Sequence, residues 1–162
     1  LIGLECPLEA AVAALRAAAA ADVRSRFNPS PGGAEFPWGD LPIDTVIVNV
    51  HECAEIFGAP EPAALARRRV RHLVVTRGAE PTLLVTAAGV QSVATHPVVS
   101  RDTVGAGDTF AGTLAARLAD GAGGADALRA ANVAAALSTL GPGAQSPMPR
   151  RAEVEAAIAA RA

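Results

Sequence analysis

Leu8, Val12, Leu15 and Ala19 recur at helical spacing behind Pro7, a residue that the first turn of a helix tolerates, and predict a helix as far as about Ala21. Residues 23–27 alternate apolar and polar until Asn28-Pro29 interrupts them, which predicts a short strand feeding a loop through Pro31-Gly32-Gly33 and Pro37-Trp38-Gly39 to Pro42. Residues 45–49 are a β-branched run, apolar on both faces, as expected of a buried parallel strand whose carboxyl end turns polar. Short helices are predicted over residues 52–57, closed by Gly58, and over 61–70, with a strand over 72–76 directly after.

The remaining pattern predicts an edge hairpin from residues 82–86 and 90–95 across Ala87-Ala88-Gly89. It then turns helical. Phe110, Leu114 and Leu118 share one face of a helix over 108–118, and residues 126–140 form an Ala-rich, almost polar-free helix that must be buried. Gly141-Pro142-Gly143 stops that helix, and a surface helix follows over 151–159. Strands alternating with helices imply an α/β fold with a mostly parallel sheet, organised as a single domain over residues 1–162 without internal repeats.

Composition refines this picture. Hydrophobic residues make up 51% of the chain but aromatics only 3%, so the core is built from Ala, Val and Leu. The net charge is −2, and all 14 basic residues are Arg, which argues against nucleic acid as a partner. Cys6 and Cys53 stand far apart in no metal-ligand pattern and read as free thiols of a reducing, cytoplasmic compartment. His51, His72 and His96 likewise have no metal-ligand spacing. The apolar stretch 10–21 is interrupted by Arg16 and is too short to span a bilayer, so no membrane association is expected. The opening Leu1-Ile2-Gly3-Leu4 reads as the continuation of something longer.

The chemistry concentrates in Asp102-Thr103-Val104-Gly105-Ala106-Gly107-Asp108-Thr109-Phe110, a Gly-rich turn opening into a helix. The small residues Gly105, Ala106 and Gly107 let backbone amides converge at a positive helix end, an arrangement suited to an anion. An acid placed there repels an anion unless it is needed to take a proton, which makes Asp108 a candidate general base. Phosphoryl transfer needs both groups: amides for the developing charge and a base for the attacking hydroxyl. A helix cap at Asp108 and a simple glycine turn are the competing structural explanation.

This nonapeptide resembles, at all nine positions, the motif D-T-[TIV]-[GA]-A-G-D-[TA]-F of the PfkB-type, ribokinase-like carbohydrate kinases. The resemblance implies a three-layer, doubly wound sheet and an ATP-dependent transfer to a sugar hydroxyl, with Asp108 as base and substrate contact. Asn49-Val50-His51-Glu52 resembles the family's N-x-x-E motif, which implies that Asn49 and Glu52 serve Mg2+ and the nucleotide phosphates. Thr76-Arg77-Gly78-Ala79 resembles a T-L-G-x-x-G loop under the nucleotide. Pro81 replaces the second glycine and removes an amide, so the contacts there rest on Thr76 and Gly78.

Asn132 falls where relatives place a residue against adenine; a buried Asn bonded to neighbouring backbone is the equally weighted reading. The segment 141–147 resembles G-A-Q-x-S, which together with the start of the nonapeptide implies a K+ site from Asp102, Val104, Ser138, Gly141, Gly143 and Ser146. The order Ser146-Pro147 is the reverse of the family's. Leu4-Glu5-Cys6-Pro7-Leu8 resembles an L-E-x-P-L segment that puts Glu5 on a sugar hydroxyl.

The resemblance covers roughly the second half of a typical relative, leaving out the N-terminal sugar-binding part and its β lid. An open sheet edge, a poorly closed site and an inactive isolated chain are therefore expected, and a full-length relative is expected to be a homodimer. Two other functions fit the same residues. One is a non-catalytic nucleotide-binding module; the other is a nucleoside or sugar-phosphate kinase of the same fold.

Overall fold

The computed structural model describes residues 1–31 and 35–161; the part of the expected loop at Gly32 and Gly33 lies outside the described residues. The elements in chain order are β1 (Ile2–Gly3), α1 (Leu8–Ala20), β2 (Arg26–Asn28), β3 (Ile43–Asn49), α2 (Val50–Phe57), α3 (Pro62–Arg68), β4 (Val70–Arg77), β5 (Glu80–Thr86), β6 (Gly89–Val93), α4 (Ala106–Ala119), α5 (Gly124–Ser138) and α6 (Arg151–Ala159). They fall into two compact units, Leu1–Arg77 with Thr82–Ser92, and Gly78–Pro81 with the residues from Val93 onward.

The strands form one six-stranded sheet in the order β1-β2-β3-β4-β5-β6. The first four strands are parallel, with Phe27 beside Val46, Val46 beside Leu73 and Asn49 beside Thr76. Two-residue connections at Gly78-Ala79 and Ala87-Ala88 can only reverse the chain, so β5 and β6 add an antiparallel meander ending at the β6 edge. The fold is thus α/β with a mostly parallel sheet and an edge hairpin.

In the first unit, Phe27, Val46, Val48, Leu73 and Val75 pack with Ala11 and Leu15 of α1, Ile56 and Phe57 of α2, and Ala64 and Leu65 of α3. Ile47 and Val74 point the other way and are also buried, which is the both-faced burial that the β-branched run predicts. The few aromatics are grouped rather than scattered. Trp38 lies 5.5 Å from Phe57 and 4.8 Å from Phe36, whose ring is 4.7 Å from Phe27, pinning the loop before β3 onto the core.

In the second unit, α4 packs on α5, burying Phe110 and Leu114. Helix α5 buries Ala127, Leu128, Ala130, Ala131, Val133 and Ala134. On its flank, α6 packs Val154, Ala157 and Ile158 against Ala130, Val133 and Ala134. Among the described residues no helix is long and apolar enough to cross a membrane.

Several boundaries differ from the expected ones, each for a local reason. The strand expected over 23–27 starts only at Arg26, because the Val23 amide still bonds to the Ala18 carbonyl at 2.8 Å as part of the end of α1. Helix α3 stops at Arg68, since Arg69 adopts a left-handed conformation (φ 54°) and Val70 opens β4. Helix α2 begins at Val50 because Asn49 caps it, and α4 begins at Ala106 because Gly105 caps it. Helix α5 ends at Ser138, leaving Leu140 outside it and 42% exposed.

Candidate active site

The polar carboxyl ends of β1 to β4 gather one set of the expected residues in the first unit. Asn49 ends β3 and caps α2: its Oδ1 accepts from the amides of His51 (2.9 Å) and Glu52 (3.0 Å). Glu52 returns the bond, its Oε2 accepting from the Asn49 amide at 2.9 Å, which completes a capping box. Thr76 stands beside Asn49 in the parallel register and donates its hydroxyl to the Val48 carbonyl at 3.3 Å.

The capping role therefore exists at Asn49 and Glu52. It leaves acceptor capacity on the Glu52 carboxylate, which no cation pairs with among the described residues. Glu5, two residues beyond β1, is exposed and makes no hydrogen bond among the described residues.

The second unit holds the nonapeptide. Gly105 caps α4 in a left-handed conformation (φ 76°). A Cβ there would lie 2.8 Å from the Ala144 carbonyl oxygen and 2.9 Å from its Cα, so glycine is required by conformation and by space alike. Because Gly105 is the cap, Asp108 is not. It sits in the first turn, exposed, and its carboxylate makes no hydrogen bond or ion pair among the described residues.

The amides nearby are unequal. That of Ala106 donates to the Thr103 carbonyl at 3.2 Å, whereas those of Gly105, Gly107 and Asp108 meet no acceptor among the described residues. The amides left free at this helix end are thus those of Gly105, Gly107 and Asp108, with that of Ala106 already bonded.

The nonapeptide and the 141–147 segment are stitched together. Asp102 Oδ2 accepts from the Gly143 amide at 2.8 Å, and its Oδ1 accepts from the Val104 amide at 3.0 Å. The Gly143 amide, and after it that of Val104, holds the Asp102 carboxyl below the usual carboxylate range. The amides of Arg101 and Asp102 both reach the Thr139 carbonyl, at 2.7 and 3.2 Å.

The carbonyls of Asp102, Val104, Ser138, Gly141 and Gly143 accept no hydrogen bond among the described residues. Free carbonyls beside an ionised carboxylate are a donor set that suits a hard cation. The hydroxyls are otherwise engaged: Ser138 donates to the Ala135 carbonyl (2.8 Å) and Ser146 to the Pro142 carbonyl (2.9 Å).

Asn132 is buried in α5 and donates its side-chain amide to the carbonyls of Ala94 (3.1 Å) and Val93 (3.4 Å). Of its two readings, bonding to neighbouring backbone is the one the geometry displays. Among the described residues no three His, Cys, Asp or Glu side chains gather to hold a metal. Three contributors carry no sequence signal of their own, because their partners are distant along the chain: Ser30 bonds Glu52, the Thr139 carbonyl accepts from Arg101 and Asp102, and Ala144 packs on Gly105.

Comparison with known proteins places the fold in a family. The sequence pattern described as pfkB family carbohydrate kinase matches residues 3–151. A ribokinase of Lactococcus lactis subsp. lactis (strain IL1403) is 31% identical over 137 residues, covering 84% of this chain and 45% of that protein. The crystal structure of a ribokinase from Thermotoga maritima superposes with a TM-score of 0.80 at 27% identity, covering 98% of this chain and 55% of that one. A ribokinase from Cryptococcus neoformans var. grubii serotype A, solved in complex with ADP, gives 0.80 at 28% identity, covering 95% and 59%. The chain spans about half the length of these relatives. With nearly its whole length matched by the family's pattern, the chain belongs to the pfkB family of carbohydrate kinases.

Proposed function

We propose that this chain carries the nucleotide-binding and catalytic residues for transfer of a phosphoryl group from ATP to a hydroxyl of a free sugar, ribose or one like it. The observation that carries the proposal is Asp108. Its carboxylate is exposed beside three unbonded amides and serves no structural bond among the described residues. An acid that makes no bond within the fold, at a helix end where an anion would sit, is best explained by chemistry.

In this reading Asp108 takes the proton of the sugar hydroxyl as that oxygen attacks the γ-phosphorus and the bond to the ADP oxygen breaks. The amides of Gly105, Gly107 and Asp108 bind the transferred oxygens. Glu52 and Asn49 serve Mg2+, which when bound neutralises phosphate charge; the uncompensated Glu52 carboxylate fits a metal that keeps most of its waters. Thr76 and Gly78 border the nucleotide. Glu5, exposed and unbonded, meets a sugar hydroxyl. The free carbonyls of Asp102, Val104, Ser138, Gly141 and Gly143 hold K+. Ribokinase names among the relatives, one with ADP bound, support the substrate class and the nucleotide.

The test is sugar-dependent ADP production, across a panel of pentoses, hexoses, nucleosides and sugar phosphates, by a longer product that contains the chain, the isolated chain itself being expected to show none. Turnover confined to free sugars is expected. Turnover of nucleosides or sugar phosphates alone would overturn the substrate assignment. Failure of any product to bind ADP would overturn the nucleotide site.

A further inference from the structure

Ser30 belongs to none of the motifs quoted above, yet it makes the shortest bond to a candidate site residue in the first unit. Its hydroxyl donates to Glu52 Oε1 at 2.7 Å, while its own amide donates to Asn28 Oδ1 at 3.1 Å. Asn28 ends β2 and Asn49 ends the adjacent parallel strand β3. The Glu52 carboxylate is therefore held from two strand ends at once, with Oε2 on the Asn49 amide and Oε1 on Ser30.

The second hold is not needed to form the helix. A capping box closes with Asn49 and one oxygen of Glu52, and the Ser30 hydroxyl satisfies no amide of α2. What it does fix is rotation of the carboxylate about its last bond. A carboxylate anchored at both oxygens by neutral donors keeps its charge and points its remaining lone pairs in one direction. That suits an acid that receives the water shell of Mg2+, a small ion that dehydrates reluctantly and tolerates little misalignment.

We infer that Ser30 is a positioning residue that sets the orientation of Glu52 toward the Mg2+ of a bound nucleotide. The inference rests on the reading of Glu52 given above. Residues of this kind, one bond behind the group that meets the metal, typically change metal affinity by about tenfold or more when removed.

The experiment is calorimetric titration of the chain with ADP, in EDTA and across a Mg2+ series, for the wild type, Ser30→Ala, Ser30→Thr and Glu52→Gln. Thermal melts run alongside to read folding separately. Ser30→Ala is expected to bind ADP in EDTA like the wild type but to need about tenfold more Mg2+ for half-maximal enhancement, with Ser30→Thr restoring the wild-type value. Glu52→Gln is expected to lose more of the enhancement than Ser30→Ala does.

If Ser30→Ala lowers the melting temperature yet follows the wild-type Mg2+ curve while Glu52→Gln departs from it, Ser30 is structural only and the inference fails. If Glu52→Gln also follows the wild-type curve, or if the wild type shows no Mg2+ dependence, the reading of Glu52 fails and takes the role of Ser30 with it.

Discussion

Gly105 lies so close to Ala144 that a single added carbon would sit 2.8 Å from the Ala144 carbonyl oxygen. Its backbone, at φ 76°, is also one that L side chains rarely adopt. Gly105→Ala should thus cost about 2–4 kcal/mol, the sum of a left-handed alanine and an overpacked contact. Gly107→Ala is the control. It has open space and an ordinary φ, and in a helix it should gain up to about 1 kcal/mol. Urea denaturation of the two variants should move in opposite directions.

Asp108→Asn should leave the fold intact, because the carboxylate has no partner among the described residues and loses only a helix-end interaction of about 0.3–1 kcal/mol. In any catalytically active product containing this chain, kcat should fall by about 10²–10⁴ with nucleotide binding retained. Steady-state kinetics with a calorimetric ADP titration separates the two effects. An undiminished kcat would remove Asp108 as the base.

Asp102 predicts an acid limb of stability. Its carboxyl is held low by the amides of Gly143 and Val104, so the folded state favours the ionised form more than the unfolded state does. The associated stability is fully present above the ordinary carboxylate value, about pH 4, and is lost as pH falls through the lowered folded value. Asp102→Asn removes this dependence. Melting curves of the wild type and variant should differ at neutral pH and converge toward pH 2; parallel curves throughout would contradict the assignment.

Asp44 and Arg26 form an ion pair at 3.6 Å whose side chains are only 11% and 10% exposed, and Arg26 Nε is already without a hydrogen-bond partner among the described residues. Arg71 and His72 also face Asp44, at 3.7 and 4.0 Å. Asp44→Ala strands the buried guanidinium and should destabilise by about 3 kcal/mol. Adding Arg26→Met should recover part of that loss, measured as the midpoint of urea unfolding.

The two thiols should react in sequence. Cys6 is exposed, whereas Cys53 is buried in α2 and its burial pushes the thiol pKa up. A colorimetric thiol reagent should titrate one equivalent promptly in native buffer and the second only on unfolding. Two prompt equivalents would place Cys53 at the surface.

Much of the fold was legible in the chain, where a pattern is set by neighbours. The β-branched run ending at Asn49 gives a buried parallel strand, and residues 151–159 form their helix where the spacing puts it. Boundaries slipped where conformation depends on a single residue that carries no signal. Nothing in the letter Arg announces that Arg69 turns left-handed and releases Val70 to β4.

The site divides in the same way. The nonapeptide, by its resemblance over nine positions and with its companion motifs, pointed to the family, and it marked Asp108 as a candidate because a glycine turn opening a helix with an acid is a local arrangement of backbone and charge. Only the tertiary structure decided that Gly105 rather than Asp108 caps α4, that the Ala106 amide is already taken, and that Asp102 ties its turn to Gly143. It alone placed Ser30 on Glu52, 22 residues away in sequence. A hydrogen bond between distant segments is set by how the chain packs, and no spacing along the sequence encodes it.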